Sequence, residues 1–301
     1  YLKFNVNIVK TDYICCMTAI HILIDDRPSP AGDNTRELIP EHGFSLYFEH
    51  LGKKWLLDTG ATSQFIKNAN TLGIDLSEAD HLVLSHVHYD HTGGLKSFFE
   101  INGRATVYLS RTVKGNAYYS FKNGEKRFIG MDENLLNEYS GRFRLLDDNN
   151  FWINEQVGIL CHIPTPYPCP KGNRILSSEK EGTAVADDFS HEIAMVMKTS
   201  AGLAIFSSCT HKGLLNTLAA ACDFAGSSNV MAFIGGTHLI DGPYETYEEL
   251  AETAALLQEH YPIMHLYIGH CTGENALKTL SLLLPGKITA FYTGASLELP
   301  V

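Results

Sequence analysis

The sequence predicts an α/β fold in which β-sheets are covered by helices. Three observations predict it: short apolar runs that end in polar or glycine-rich turns, helical patterns between several of these runs, and polar residues at the ends of the runs. Short β-branched runs bounded by turn residues are typical of buried strands. Strands that alternate with helices favour sheets flanked by helical layers.

The predicted elements alternate along most of the chain. The runs predicted as strands are residues 19–24, 44–48, 54–57, 81–84, 105–109, 193–197, 202–206, 230–234 and 265–268. The segments predicted as helices are residues 62–72, 95–100, 214–225, 246–260 and 275–284. In the longest of these helices, Leu250, Ala254 and Leu257 repeat at helical spacing.

The composition excludes several classes of protein. The chain has 301 residues, of which 45% are hydrophobic and 19% charged, so it is neither disordered nor fibrous. Its net charge is −11 without a basic block, and we therefore expect neither nucleic-acid binding nor nuclease activity. No apolar run approaches the roughly 20 residues of a membrane span, so we expect no membrane partner. The seven cysteines are scattered without a CxxC pair, which favours the reducing cytoplasm.

We predict one domain over residues 18–301, preceded by an N-terminal extension of residues 1–17. The start of the chain lacks the charged and apolar regions of a signal peptide. The stretch from about 111 to 188 is rich in Gly, Asn, Tyr and Pro, and its residues 163–170 cannot form a regular helix. We interpret it as an insertion or lid over a site, because long irregular loops in compact domains are usually functional. A surface excursion without a role is the alternative.

The most informative string follows the fourth predicted strand. It carries His86, His88, Asp90 and His91 within six residues. His86 and His88 are two residues apart, so on an extended segment they face the same side. Asp90 and His91 begin the turn into the next helix and can point to a second place nearby. Imidazole and carboxylate are ligands of zinc, iron and manganese, so this string indicates a dinuclear metal site.

Polar residues capable of binding metal also follow other predicted strands. Asp58 precedes a glycine turn, Cys209 and His211 follow residues 202–206, His238 follows residues 230–234, and His270 follows residues 265–268. The carboxyl ends of strands are the usual place for an α/β active site. Singly, each residue has a structural alternative: Asp58 could cap a helix and His238 could be a buried, hydrogen-bonded histidine. Together they favour one site.

The HxHxDH string, with Leu56-Leu57-Asp58-Thr59-Gly60 before it and the later histidines, resembles the metallo-β-lactamase superfamily of metal-dependent hydrolases. This resemblance extends from about residue 18 over nearly the whole chain and implies a four-layer αββα sandwich of mixed sheets with flanking helices. Three blocks are similar to the dihydropterin–ribofuranosylaminobenzene phosphate synthase-like branch. They are Ser208-Cys209-Thr210-His211-Lys212-Gly213-Leu214-Leu215-Asn216, Gly235-Gly236-Thr237-His238-Leu239 and Gly269-His270-Cys271-Thr272-Gly273.

The resemblance implies two divalent metal ions, zinc first, with manganese or iron as alternatives. The ligands of the first ion would be His86, His88 and His211, and those of the second Asp90, His91 and His270. Asp58 would orient the ligand loop from behind, as such carboxylates fix histidine tautomers. Cys209 would also stand behind the ligands.

The sequence departs from the family pattern at several positions. The superfamily's usual glycine–aspartate step, which supplies a bridging carboxylate after residues 202–206, is replaced by Cys209 and His211. Ser208 replaces a glycine, Thr237 replaces an aromatic residue, and Thr165 stands where an arginine is usual. The first departure removes the expected bridging ligand, and the last weakens the expectation of the branch's phosphorylated substrate.

We expect metal-dependent hydrolysis of a small ester or phosphoester by a metal-activated water. Asp90 would orient that water and take its proton, and His238 would act as general acid or substrate contact. Cations that could bind an anionic substrate are Lys171, Arg174 and Lys212, with solvation at the surface as the alternative for each one. One alternative is a metal-dependent synthase or transferase, whose pterin-like substrate would stack on the aromatic middle segment. Another is a non-catalytic, metal-dependent binder.

Overall fold

A computed structural model describes residues 17–30, 37–122, 124–180 and 182–300 of the chain. Apart from Met17, the predicted N-terminal extension lies outside these residues. The α-helices are α1 (Gln64–Leu72), α2 (Tyr89–Thr92), α3 (Leu95–Ile101), α4 (Asn134–Glu138), α5 (Leu214–Ala225), α6 (Tyr247–His260) and α7 (Glu274–Leu283). The five predicted helices coincide with α1, α3, α5, α6 and α7 and differ only at their ends. Within the described ranges, no helix has the length and apolarity to cross a bilayer.

The strands form two large sheets and one small sheet. The strands are β1 (Met17–Ile24), β2 (Ser45–His50), β3 (Lys53–Leu57), β4 (His81–Val83), β5 (Thr106–Ser110), β6 (Asn116–Lys122), β7 (Glu125–Phe128), β8 (Phe143–Leu146), β9 (Phe151–Trp152), β10 (Val157–Leu160), β11 (Leu176–Lys180), β12 (Thr183–Ala186), β13 (Ala194–Thr199), β14 (Gly202–Ser207), β15 (Val230–Gly235), β16 (His265–Ile268), β17 (Ile288–Ala290) and β18 (Ser296–Pro300). The first sheet has the order β18-β1-β2-β3-β4-β5-β8, and the second sheet has the order β17-β16-β15-β14-β13-β10-β9. The small sheet has the order β12-β11-β6-β7.

The two large sheets pack face to face around a shared apolar core. Successive side chains of a strand point to opposite faces, so each sheet has one face toward its partner and one toward helices. On the inner faces, Phe48 of β2 stacks on Phe206 of β14, with ring centroids 5.3 Å apart. Both residues are fully buried in the core between the sheets.

Helices cover the two outer faces. Phe65 of α1 and Phe98 of α3 belong to the core on the outer side of the first sheet. Leu218 of α5, Leu257 of α6 and Leu280 of α7 belong to the core on the outer side of the second sheet. The order is therefore helix, sheet, sheet, helix. The prediction of a four-layer αββα sandwich with mixed sheets is confirmed.

We predicted an irregular loop from about residue 111 to 188, but this stretch contains regular secondary structure. It contains strands β6 to β12, of which β8 joins the first sheet and β9 and β10 join the second. The remaining four strands form the small sheet. Strands β7 and β12 are exposed along their whole length, so their sequences lack the apolar runs that identify buried strands. The role of this stretch as a lid stays a prediction.

Candidate metal centre

Parallel strands carry the predicted site residues to one edge of the sandwich. Strands β3, β4 and β5 are parallel in the first sheet, and β14, β15 and β16 are parallel in the second. Four residues just beyond these strand ends have positive φ: Asp58 (57°), Thr210 (62°), His238 (50°) and His270 (48°). This conformation is uncommon outside glycine and costs on the order of 1–3 kcal/mol per residue. The sharp turns that it produces aim the side chains at a common centre.

Three histidines converge on one point, which we call the first ligand cluster: His86, His88 and His211. His86 Nε2 lies 3.0 Å from His88 Nδ1 and 3.4 Å from His211 Nε2. Nitrogen ligands at tetrahedral positions around one zinc ion are about 3.3–3.4 Å apart. The spacing of the ring nitrogens therefore matches one metal ion. All three side chains are buried.

The hydrogen bonds behind this cluster assign the tautomers of two rings. Ser85 Oγ donates to Asp58 Oδ2 at 2.7 Å, so it must accept from His86 Nδ1, which lies 2.8 Å away. Asn173 Nδ2 donates to the His211 carbonyl, so Asn173 Oδ1 accepts from His211 Nδ1 at 3.0 Å. The Nε2 atoms of His86 and His211 then face each other as lone pairs, and a cation between them removes the repulsion.

Asp90, His91 and His270 form the second ligand cluster. Asp90 Oδ2 lies 3.4 Å from His91 Nε2 and 3.5 Å from His270 Nε2. His91 Nδ1 donates to Asp58 Oδ2 at 2.7 Å, and His270 Nδ1 donates to Asp26 Oδ1 at 2.8 Å. Both rings therefore turn Nε2 toward the Asp90 carboxylate. Buried metal-binding histidines are commonly held in this way by carboxylates behind them.

The two clusters differ in electrostatics. Burial and the neighbouring imidazoles hold the pKa of His86 and of His211 well below the usual range, so these rings are neutral. Burial would also lower the pKa of His91, but the Asp90 and Asp58 carboxylates outweigh it and raise that pKa to about 10. The pKa of His270 is raised to about 9, since Cys271 and Asp26 outweigh the effect of burial. The second cluster therefore favours positive charge between its ligands.

These residues fit divalent cations. The first cluster offers three converging nitrogen atoms, and the second offers two nitrogen atoms and a carboxylate oxygen. Within the described residues, the buried Nε2 atom of His270 has no hydrogen-bond partner. Buried polar atoms are normally paired, so this unpaired nitrogen indicates a ligand atom.

Cys209 lies closer to the ligands than predicted. Its side chain is buried, and its Sγ is 3.2 Å from His91 Nε2. Its ligand atom lies within 4.8 Å of those of His86 and His211, and also of those of His91 and His270. Cys209 therefore borders both clusters.

His238 reaches the site but forms no hydrogen bond through its ring. The His238 ring centroid is 4.2 Å from that of His211, and neither of its ring nitrogens has a partner among the described residues. Its backbone N–H points to Cys271 Sγ at 3.3 Å. The ring is thus available to a molecule beside the first cluster.

Sequence reasoning missed several residues that hold the ligands. Asp25 accepts the backbone N–H of His270 at 2.6 Å, and Asp26 accepts from its ring. The pair directly follows strand β1, so the rule applied to the other strand ends would have found it. Asn173 and Glu192 belong to no recognised motif. Glu192 accepts the backbone N–H groups of His211 and Lys212, both at 2.7 Å.

A cavity of about 480 Å³ opens onto the ligands. Its lining includes His88, Asp90, His211, His238 and His270, together with Lys122 of β6 and Arg127 of β7 from the small sheet.

The cations suggested by sequence reasoning lie elsewhere. Lys171, Arg174 and Lys212 are not among the described residues that line this cavity. Lys171 Nζ instead pairs with Glu249 at 2.5 Å, and Lys212 lines a different cavity. These positions favour the alternative of ordinary surface residues, because Lys171 is held by an ion pair and Lys212 borders a different cavity.

Known proteins resemble this chain over most of its length. A model of the metallo-beta-lactamase superfamily matches residues 38–173. The 7,8-dihydropterin-6-methyl-4-(beta-D-ribofuranosyl)-aminobenzene-5′-phosphate synthase of Methanocaldococcus jannaschii is 28% identical over 289 residues, which cover 90% of this chain and 91% of that protein. An uncharacterized protein of the same organism is 28% identical over 258 residues, covering 83% of this chain and 92% of its own.

Solved structures agree with the sequence relatives. Tm1679, described as a metal-dependent hydrolase of the beta-lactamase superfamily, matches with a TM-score of 0.78 at 28% identity, over 94% of this chain and 100% of its own. A diphosphatase from the PhnP family covers 94% of this chain and 98% of its own with a TM-score of 0.51 at 15% identity, which shows the fold alone. This chain has the four-layer fold of the metallo-beta-lactamase superfamily, and its sequence is similar to those of proteins in that superfamily.

Proposed function

We propose that the protein is a metal-dependent hydrolase that acts on a small ester or phosphoester. One observation carries the proposal: two buried clusters of converging ligand atoms lie beside one cavity. In this proposal His86, His88 and His211 hold the first ion, and Asp90, His91 and His270 hold the second. Zinc is the proposed metal, because imidazole-rich buried sites suit it, with manganese or iron as alternatives.

Two divalent ions bound here would polarise a substrate oxygen and make water a nucleophile near neutral pH. The chain's own residues would orient the attacking water and transfer protons. The Asp90 carboxylate stays ionised, since His91 and His270 outweigh burial and hold its pKa well below the usual range. It can therefore accept a hydrogen bond from the attacking water. His238, with both ring nitrogens unpaired beside the cavity, would donate a proton to the leaving group.

Substrate access in this proposal is controlled by the small sheet. Lys122 and Arg127 place two cationic side chains at the cavity wall, which supports a substrate with an anionic group and supports the role of residues 111–188 as a lid. A cytoplasmic location is part of the proposal. It is supported by five free cysteines in the described residues: Cys161, Cys169, Cys209, Cys222 and Cys271.

The test is metal content and hydrolysis together. Protein purified without added metal should contain about two ions per chain by mass spectrometry, and a panel of esters and phosphoesters should include a substrate. His211→Ala should lose the first ion and the activity. His162→Ala is the matched control, because His162 is an exposed histidine paired with Asp148. A wild-type protein without tightly bound metal, or an active His211→Ala variant, would contradict the proposal.

A synthase or transferase is the second candidate, supported by the synthase relative that matches 90% of this chain. In this case, release of phosphate or pyrophosphate would require a dihydropterin together with an aminobenzene ribose phosphate. The same assay without the dihydropterin is the control. Product formed equally well in its absence would favour hydrolysis over synthesis.

A further inference from the structure

The sulfur of Cys209 lies between the two ligand clusters. Cys209 follows strand β14, and its neighbour Thr210 has a φ of 62°, so Cys209 and His211 both point into the site. Thr210 Oγ1 donates to the Gly236 carbonyl at 2.6 Å, which fixes this turn. The position of Cys209 Sγ is therefore set by the fold. Cys209 Sγ is close to His86 and His211 of the first cluster and also to His91 and His270 of the second.

The nearby carboxylates do not occupy this position. The oxygens of Asp58 accept three hydrogen bonds, from the Ser85 backbone N–H, Ser85 Oγ and His91 Nδ1, each at 2.7 Å. Asp58 thus contacts the Nδ1 side of His91, opposite the Nε2 that faces Asp90. The Asp90 carboxylate lies against His91, His270 and His42 in the second cluster.

Two divalent ions in such a site need an anion between them. In two-metal sites the ions are about 3.5–4 Å apart and repel each other strongly in a buried environment. The first cluster supplies only neutral imidazoles, and the second supplies one carboxylate. A shared anionic ligand lowers the repulsion, and a thiolate is a ligand that zinc binds readily.

We infer that Cys209 bridges the two metal ions through its Sγ. The inference rests on the proposed dinuclear site and adds a ligand to it. When the sulfur binds, the S–H bond breaks, the proton leaves to solvent, and the thiolate electron pairs form the two metal–sulfur bonds. A soft sulfur ligand also favours zinc over manganese at this site.

Cobalt(II) reports the sulfur directly, because a thiolate bound to cobalt gives a near-ultraviolet charge-transfer band that nitrogen and oxygen ligands lack. We expect this band in cobalt-loaded wild-type protein. Cys209→Ser should lose the band, and Cys209→Asp should lose it while keeping about two ions, because a carboxylate restores a bridging anion. Retention of the band in Cys209→Ser would overturn the inference.

The matched control is Cys271→Ser. Cys271 lies near Cys209, with its Sγ 3.6 Å from the Cys209 carbonyl oxygen, so it tests whether any nearby thiol produces the band. Cys271→Ser should keep both the band and two ions. Loss of the band in Cys271→Ser, with retention in Cys209→Ser, would assign the sulfur ligand to Cys271 and overturn the inference.

Two half-site variants separate a bridging sulfur from a terminal one. His211→Ala leaves the second cluster intact, and His270→Ala leaves the first cluster with its three histidines. A bridging Cys209 should give the charge-transfer band in both variants with about one cobalt each, whereas a band in only one variant would show a terminal ligand. Wild-type protein that binds no metal would instead refute the proposed function. Wild-type protein with two ions and no band would refute the bridging sulfur alone.

Discussion

Asp58 supports both ligand clusters. Its carboxylate accepts from Ser85, whose hydroxyl orients His86 of the first cluster, and from His91 of the second. The side chain is fully buried, so no water can replace a lost acceptor. The positive φ of Asp58 turns this carboxylate toward the ligand loop. The orientation of both clusters therefore depends on one charged group.

We expect Asp58→Asn to weaken metal binding by about 10–100-fold, the usual cost of removing a carboxylate behind a metal-binding histidine. The amide keeps the volume, but its NH2 group cannot accept from Ser85 or His91. Competition with a chromophoric chelator measures the affinity. Asp75→Asn is the control, because Asp75 is exposed at the start of a surface 3-10 turn and its carboxylate accepts from the backbone N–H and the hydroxyl of Ser77. Unchanged affinity in Asp58→Asn would contradict this role.

Metal binding should release protons, since ligand atoms must be deprotonated to bind. With pKa values of about 10 for His91 and about 9 for His270, both rings carry a proton at pH 7.5 in the metal-free protein. Binding should release about two protons from them, plus one from the Cys209 thiol. Affinity should therefore rise with pH to at least about pH 10, because burial also raises the pKa of the Cys209 thiol well above its usual range. Calorimetry in two buffers of different ionisation enthalpy counts the protons, and affinity independent of pH would contradict these shifts.

The same shifts affect the metal-free fold. The folded-state pKa of His91 and of His270 lies above the ordinary histidine value of about 6.5. Their contribution to the free energy of unfolding is fully present below pH about 6.5 and is lost as the pH rises through about 9–10.

At the scale of elements, the ligand loop depends on close packing at its glycines. Gly93 and Gly94 connect α2 to α3, and a Cβ on Gly93 would overlap the carbonyl oxygen of Ala61. A Cβ on Gly43 would likewise overlap the Asp90 carbonyl oxygen. Glycine at these positions lets the loop that carries Asp90 and His91 lie against the segment before β2 and the turn after β3.

We expect Gly93→Ala to destabilise the protein by about 1–3 kcal/mol, because overpacking forces backbone shifts of this order of cost. The shift would also move α2, so metal affinity should fall as well. Gly103→Ala is the matched control, since nothing lies within 4 Å of a Cβ built there. Urea unfolding measures the free energy, and equal stability of the two variants would contradict the packing argument.

Helices and strands could be predicted from the sequence where a single hydrophobic pattern dominates. Strand β14 and helix α5 follow from apolar runs of the right period, because β14 lies inside the second sheet and α5 packs on the outer face of that sheet. Strands β7 and β12 were not predictable, since they are exposed and are held by cross-strand hydrogen bonds with β6 and β11. Hydrogen-bonded pairing between exposed strands leaves little trace in hydrophobic periodicity.

The same reasoning explains which parts of the site the sequence indicated. His86, His88, Asp90 and His91 lie within one string, and His211 and His270 follow apolar runs, so local pattern locates them. The partners behind them come from distant parts of the chain. Asn173 meets His211 only because the segment before β11 folds back against the loop after β14. Such contacts follow from three-dimensional packing and not from spacing along the sequence.

For the whole molecule, the residues of the candidate metal centre come from both large sheets. The ligand loop after β4 belongs to the first sheet, whereas His211 and His270 follow β14 and β16 of the second. Metal–ligand bonds would therefore cross-link the two halves of the sandwich at one edge, in addition to the shared apolar core. A ligand that binds the folded state alone stabilises it by mass action.

We expect removal of metal by a chelator to lower the free energy of unfolding by about 4 kcal/mol, relative to protein with free zinc at 1,000 times the dissociation constant. Because the ligands come from both sheets, the loss should affect the unfolding of the whole sandwich, and tryptophan fluorescence and far-ultraviolet circular dichroism should shift together. Trp55 in β3 and Trp152 in β9 report on the first and second sheet, respectively. In His86→Ala, the difference in the free energy of unfolding between metal-free and zinc-loaded protein should shrink sharply. This variant therefore separates metal ligation from general salt effects. Equal stability of wild-type protein with and without zinc would mean that the two halves are held together by their apolar core alone.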